Sequence, residues 1–185
     1  MSEGVARAAE DGREAAAGAG PLAAPARALA WLNDKIVVAS MGTLILAALV
    51  LTLSVVMRYF LRIPTDWQDE TSVFLLVGAI FMSAAYVQSY RGHVGIEALA
   101  GLLPRRLNAG RLLLVDLVSF LFTAFFSWKS WTLLREAVVE HQTTDSTWGP
   151  PLWIPYSTMA VGMTLLSLQI LLQVATRLGR SEADR

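Results

Sequence analysis

The chain contains no cysteine, only two histidines and, across 185 residues, only 16% charged side chains. Without cysteine there are no disulfides, no thiolate metal ligands and no thiol redox chemistry. The histidines, His93 and His141, lie outside every apolar run, so a haem or metal centre inside a helical bundle would have no imidazole ligands. His141 has Glu136 and Glu140 as near neighbours, yet a solvated helix end explains it better than a metal site. His93 reads as a polar interfacial residue rather than a proton relay. A formal net charge of zero lacks the electrostatic footprint of a nucleic-acid binder. A secretory signal is also missing: residues 1–26 mix Arg7 and Arg13 with Glu3, Glu10, Asp11 and Glu14, and no apolar h-region follows. No apolar stretch has the Gly/Pro-broken centre that builds a substrate site in a transporter, and no inverted repeat is evident.

What is present is hydrophobicity. Apolar residues make up 55% of the chain, and four runs carry little or no charge, at about 36–57, 71–90, 112–134 and 152–175. A helix of about 20 residues rises roughly 30 Å, the thickness of a hydrocarbon core. Bare backbone polar groups are too costly in lipid for anything but helices here. The fold expected is an all-α integral membrane protein of four transmembrane helices. It divides into a disordered Ala-rich tail (1–30), a membrane domain (31–176) and a second tail (177–185). Positive charge orients it: with the N-terminus cytoplasmic, eleven Lys and Arg fall inside and three (Arg58, Arg62, Arg135) outside. Both termini are then cytoplasmic. Ile96, Leu99, Leu102 and Leu103 recur at near-helical spacing in the inner loop, so 94–103 is either a short interfacial helix or an ordered polar turn. Arg105 and Arg106 beside it are placed to reach lipid headgroups.

The stretch 64–93 organises the rest. Thr65-Asp66-Trp67-Gln68 fits a capping box, and Asp66, Asp69 and Glu70 put negative charge at a helix start, where the dipole favours it. Twenty uncharged residues follow, then Arg91-Gly92-His93. Trp67, Trp131, Trp148 and Trp153 fall at the outer ends of spans and Trp31 near the inner end of the first, which reads as an aromatic belt of interfacial anchors. Asp116 and Lys129 lie inside the third run, where charge is costly. Antiparallel packing of the second and third spans would bring Lys129 to Glu70 and Asp69, and Asp116 towards Arg91; the competing reading is that each snorkels to its own interface. Small residues Ala39, Thr43 and Ala47 in the first span and Ala79 and Ser83 in the second mark helix contacts. Gln169 and Gln173 in the fourth offer interhelical hydrogen bonds.

Several of these residues also carry a resemblance. Arg58-Tyr59 closes the first span, Trp67-x-x-Glu70 opens the second, and Gly78-Ala79 lies within it. Then come Arg91-Gly92-His93-Val94, Leu103-Pro104, and Pro151-Leu152-Trp153-x-Pro155-Tyr156 opening the fourth span, with Gly162 and Leu168-Gln169 inside it. Over 36–175 the chain resembles the small integral-membrane, DctQ-type subunit of tripartite ATP-independent periplasmic (TRAP) transporters; Glu97 departs from the Asp common at that place. The resemblance implies a non-enzymatic scaffold in the bacterial inner membrane with no cofactor. Its partners would be a large transport subunit, a periplasmic substrate-binding protein and membrane lipid. The transport implied is usually sodium-coupled and takes up an organic acid. The residues expected at subunit or helix contacts are Trp67, Asp69, Glu70, Gly78, His93, Lys129, Pro155 and Gly162. An independent small four-helix transporter or accessory membrane protein is the alternative, and a quinone-linked enzyme is disfavoured by the missing cysteines and embedded histidines.

Overall fold

A computed structural model describes residues 23–89 and 105–183. These residues form helices α1 (Ala23–Val56), α2 (Asp66–Ser89), α3 (Arg105–Val139) and α4 (Trp153–Ala183), and a π-helical turn (Met57–Leu61) extends α1. Four segments are long and apolar enough to cross a membrane: Ala24–Leu61, Asp66–Ser89, Leu114–Val139 and Trp153–Ala175. The chain is thus an all-helical, multi-pass membrane protein. Two helices begin before their apolar runs. α1 is helical from Ala23, inside the segment expected to be a disordered tail, with Pro25 in its first turn, where a missing N–H costs little. α3 begins at Arg105 rather than near 112. His93 and the expected interfacial helix at 94–103 lie outside the described residues, as does most of the N-terminal tail.

The helices are arranged in the order α1–α2–α4–α3, each packing chiefly on its neighbours in that row. α4 therefore stands between α2 and α3. Thr158 faces Gly78 and Gly162 faces Phe81, so residue numbers rise together and α2 and α4 run parallel. Sequential neighbours α1 and α2, and α3 and α4, are antiparallel. This overturns the expected packing of the second span on the third. A short tether makes α2 a neighbour of α1, but α4 has the glycine that admits α2's backbone.

The faces in contact are small and polar, and the outward ones are large and apolar. On α1 the buried positions Asn33, Ser40, Ala47 and Ser54 recur every seventh residue, the spacing that holds one stripe against a partner in a left-handed coil. Of Ala39, Thr43 and Ala47, only Ala47 is buried; the seven-residue stripe replaced the expected four-residue one. On α2 the buried residues are Gln68, Ser72, Ala79 and Ala85. On α3 they include Thr123, Ser127, Ser130 and Ala137. Meanwhile Val38, Ile45, Leu121 and Phe122 are all at least 60% exposed. Lipid tails are as apolar as leucine, so burial of large side chains gives no drive between helices and close backbone approach does.

Two left-handed residues shape the end of the molecule where the α1–α2 and α3–α4 loops lie. Arg62 (φ 55) stops α1 after the π turn. His141 (φ 51) stops α3, and Gln142 N–H reaches back to Ala137 O at 3.0 Å, the long bond of a Schellman motif. His141 is exposed there. The loop that follows folds back on itself, with Thr144 N–H to Pro150 O at 3.1 Å and Leu152 N–H to Gln142 O at 3.0 Å. Gly149 (φ 58) makes the tight turn, a conformation glycine adopts without the Cβ penalty.

Candidate functional site

At the loop end, α1 and α2 are clasped by four side chains. Arg58 lies in the π turn, where the widened helix brings its guanidinium back over the start of α2. Its Nη2 donates to Asp69 Oδ2 as a salt bridge and to Thr65 Oγ1 at 2.8 Å. Ser54 Oγ stands 2.8 Å from both Thr65 Oγ1 and Asp69 Oδ1. The one serine proton is shared between these two acceptors. Ser54 and Thr65 are buried, whereas the Arg58 and Asp69 side chains are 59% and 45% exposed. The charges thus sit at the edge of water while neutral hydroxyls occupy the interior.

This geometry replaces the expected capping box. Thr65 precedes α2, and its carbonyl accepts from Gln68 and Asp69 N–H at 3.2 and 3.3 Å. Its hydroxyl is committed to α1, and Gln68 Nε2 points to Met57 Sδ at 3.2 Å. The local signal was read as a cap, and tertiary contact took the groups. Trp67, half exposed, meets Trp148 edge to face, with centroids 6.5 Å apart, so the α3–α4 loop is pinned to the start of α2. An acidic recess of about 330 Å³ lies beside this contact, lined by Asp66, Asp69, Glu70, Asp145, Ser146 and Thr147. Among the described residues, no group of three His, Asp or Glu is placed to hold a metal ion.

The middle of the molecule is the α2–α4 seam. A Cβ at Gly162 would lie 2.3 Å from Phe81 O and 2.6 Å from its carbonyl carbon, so only glycine permits this approach. Gly78 is different: its Cβ would meet Thr158 at 3.6 Å, an ordinary contact. Pro155 is buried in the first turn of α4, and its carbonyl accepts from Thr158 Oγ1 at 2.8 Å. Towards the opposite end the seam turns polar again, as Gln169 and Gln173 suggested. Asn33 Nδ2 donates to Gln169 Oε1 at 3.2 Å, Gln88 Nε2 to Gln173 Oε1 at 3.1 Å, and Gln173 Nε2 to the Gln88 carbonyl at 3.1 Å. An apolar groove of about 460 Å³ runs between α1 and α2 under the loop, with Ile36, Ser40, Leu75, Ala79, Trp148 and Ile154 among its walls.

Compared with known proteins, residues 47–180 match the family described as tripartite ATP-independent periplasmic transporters, DctQ component. The chain belongs to that family. It is 24% identical over 153 residues to the C4-dicarboxylate TRAP transporter small permease protein DctQ of Vibrio cholerae serotype O1. That match covers 71% of this chain and 66% of the relative, just under two thirds of the relative's length.

In this DctQ-family chain the motifs behind the resemblance are structural parts. Arg58 holds the clasp, Trp67 pins the loop, Gly78 and Gly162 line the seam, and Pro155 starts α4. Arg58 and Ser54 were missed as partners of Asp69, although opposite charges on either side of a short helix hairpin were signal enough.

Lys129 is the residue the structure relocates most. The pairing with Glu70 is not made, because α4 separates α3 from α2. Asp69, not Glu70, is the acidic residue of α2 that forms an ion pair, with Arg58, and Glu70 keeps one carboxylate oxygen buried without a hydrogen-bond partner. Lys129 is exposed, its ammonium 5.5 Å from the centre of the Trp128 ring. Trp131 also lies deeper than a span end, its indole N–H donating to Thr164 Oγ1 at 3.0 Å. Asp116 is buried on α3, and its expected partner Arg91 lies outside the described residues. Trp31, Trp148 and Trp153 are all exposed.

Proposed function

We propose that this chain is the small membrane subunit of a TRAP transporter and braces a large transport subunit in the bacterial inner membrane. The observation that carries the reading is the open row of helices. α1 and α3 each pack chiefly on one neighbour and turn the rest of their apolar surface outward. Such a layer encloses no substrate path and offers two long flanks to a larger membrane protein. Asn33, Ser54, Thr65, Gln88, Gln169 and Gln173 are used on helix–helix bonds, as a brace requires. Both termini are cytoplasmic on this reading, which the excess of Lys and Arg in the inner segments supports. The Arg58 clasp then faces the periplasm, where a substrate-binding protein docks on the assembled transporter. The substrate class is an organic acid, with a C4-dicarboxylate suggested by the name of the Vibrio cholerae relative, and the coupling ion is sodium.

The test is reconstitution. The chain and the large subunit should co-purify, and vesicles should take up substrate with a sodium gradient only when both subunits and the binding protein are present. Uptake by vesicles holding this chain alone would sink the scaffold reading in favour of an independent carrier. A reporter fused to either terminus should report a cytoplasmic location.

A further inference from the structure

The depth of Lys129 can be read from its neighbours. Thr164 is the middle residue of the span Trp153–Ala175. Its hydroxyl lies 2.8 Å from Ser127 Oγ and accepts from the Trp131 indole at 3.0 Å. These two residues bracket Lys129, one two positions before it and one two positions after. Measured along α3, Lys129 is ten residues from the helix end at Val139, roughly 15 Å at the usual helical rise. Both measures put the residue well inside the span. The next charged residue towards the loop end, Arg135, is six residues on, roughly 9 Å along the axis, and a lysine stem of about 6 Å falls short of it.

Lys129 is also on the open side of α3. At about 100° per residue it lies roughly 120° around the helix from the stripe that packs on α4. It follows the outward Phe122 and Phe125, which are 61% and 52% exposed. The Trp128 face gives partial compensation for the charge. Among the described residues no carboxylate is in position to give the rest: Glu70 lies across α4, and Glu136 is two helical turns along α3, about 10 Å away. An intramembrane cation on an open face calls for an opposite charge from outside the chain.

We propose that Lys129 marks the face by which α3 docks on a transmembrane helix of the large subunit, and that it pairs there with a carboxylate at the same depth. The proposal rests on the subunit reading above. A second copy of this chain is a poor occupant, because a two-fold axis along the membrane normal would set Lys129 against Lys129 at one depth. A lipid is also a poor occupant, because its phosphates lie at the interfaces and its tails offer no charge.

The experiment uses the complete transporter, with a photoreactive benzoylphenylalanine at Phe125, one turn before Lys129 on the same open face, or at Ile45 on α1. Crosslinking from position 125 should capture the large subunit, and mapping the adduct should find an Asp or Glu within about two helical turns. Lys129→Met should lower recovery of the large subunit about tenfold and Lys129→Arg by less than about twofold. The melting temperature of the isolated chain should not fall in either variant, since Lys129 holds no helix of its own chain. Crosslinks confined to lipid or to a second copy would overturn the proposal, as would wild-type recovery with Lys129→Met. Capture from Ile45 but not from 125 would overturn this face and leave the subunit reading standing. A wild-type chain that fails to retain the large subunit would overturn the subunit reading itself.

Discussion

The two ends of this molecule are held together by different means. At the loop end, α1 and α2 are joined by Arg58 and Asp69 over two buried hydroxyls. At the opposite end, α1 meets α4 and α2 meets α4 through neutral amides, Asn33 with Gln169 and Gln88 with Gln173. The charges are about half exposed, whereas Asn33 is fully buried. A carboxylate and a guanidinium keep part of their hydration at an edge, and an amide carries no net charge to desolvate. The difference also lies in which helices are joined. The clasp needs only the α1–α2 hairpin, while every amide contact needs α4 in place.

That asymmetry can be broken selectively. The largest effect is expected from Gly162→Ala, whose methyl would overlap the Phe81 backbone and push α4 off α2. A loss of about 1–3 kcal/mol is expected from overpacking, read as a lower melting temperature in detergent. Faster hydrogen exchange should appear around Gln169 and Gln173 and not around Thr65. Loss of protection at both ends alike would mean that the ends are not independent. Next comes Arg58→Met. Removing the guanidinium leaves Thr65 and Asp69 short of a donor, for about 1–2 kcal/mol. The exposed ion pair accounts for only about 0.5–1 kcal/mol of this, which a double-mutant cycle with Asp69→Asn should isolate and added salt should reduce.

Asn33→Leu tests the other end. Interhelical hydrogen bonds in bilayers average about 0.6 kcal/mol and reach about 1.7, so the loss should be smaller than at Arg58 and indifferent to salt. A salt-dependent loss at Asn33 would undo the contrast between the ends. Gly78→Ala should do least, within about 0.5 kcal/mol of wild type, because its methyl would meet only a Thr158 side chain at ordinary distance. If Gly78→Ala matched Gly162→Ala, close approach would not be confined to Phe81.

Much of this was legible in the amino acids. Charge-poor runs of bilayer length gave four helices, and Gln169 and Gln173 in α4 gave interhelical amides because glutamines one turn apart have few other uses in lipid. What failed was lateral order. Hydropathy reports that a helix is in the membrane but not which helix lies beside it, so Lys129 was set against Glu70 on the assumption that sequential spans are neighbours. The seven-residue stripe from Asn33 to Ser54 and the single glycine opposite Phe81 were the signals for order, and both are quiet in composition. The capping box failed for a related reason. Thr65 and Gln68 have the right types and spacing for a cap, and they also lie where α1 returns with Arg58 and Met57.

The row α1–α2–α4–α3 bears on how the protein is made. α1 and α2 can close as a hairpin once α2 has been made to Ser89, since both halves of their clasp are then available. α3 comes next and has its packing partner in a segment not yet synthesised. It is also the least apolar of the four spans and carries Asp116 and Lys129. Until α4 arrives, the helix with the weakest claim on lipid waits in the bilayer, or in the insertion machinery, without a companion. A chain halted after residue 145 should therefore hold α1 and α2 firmly and lose α3 to extraction or proteolysis.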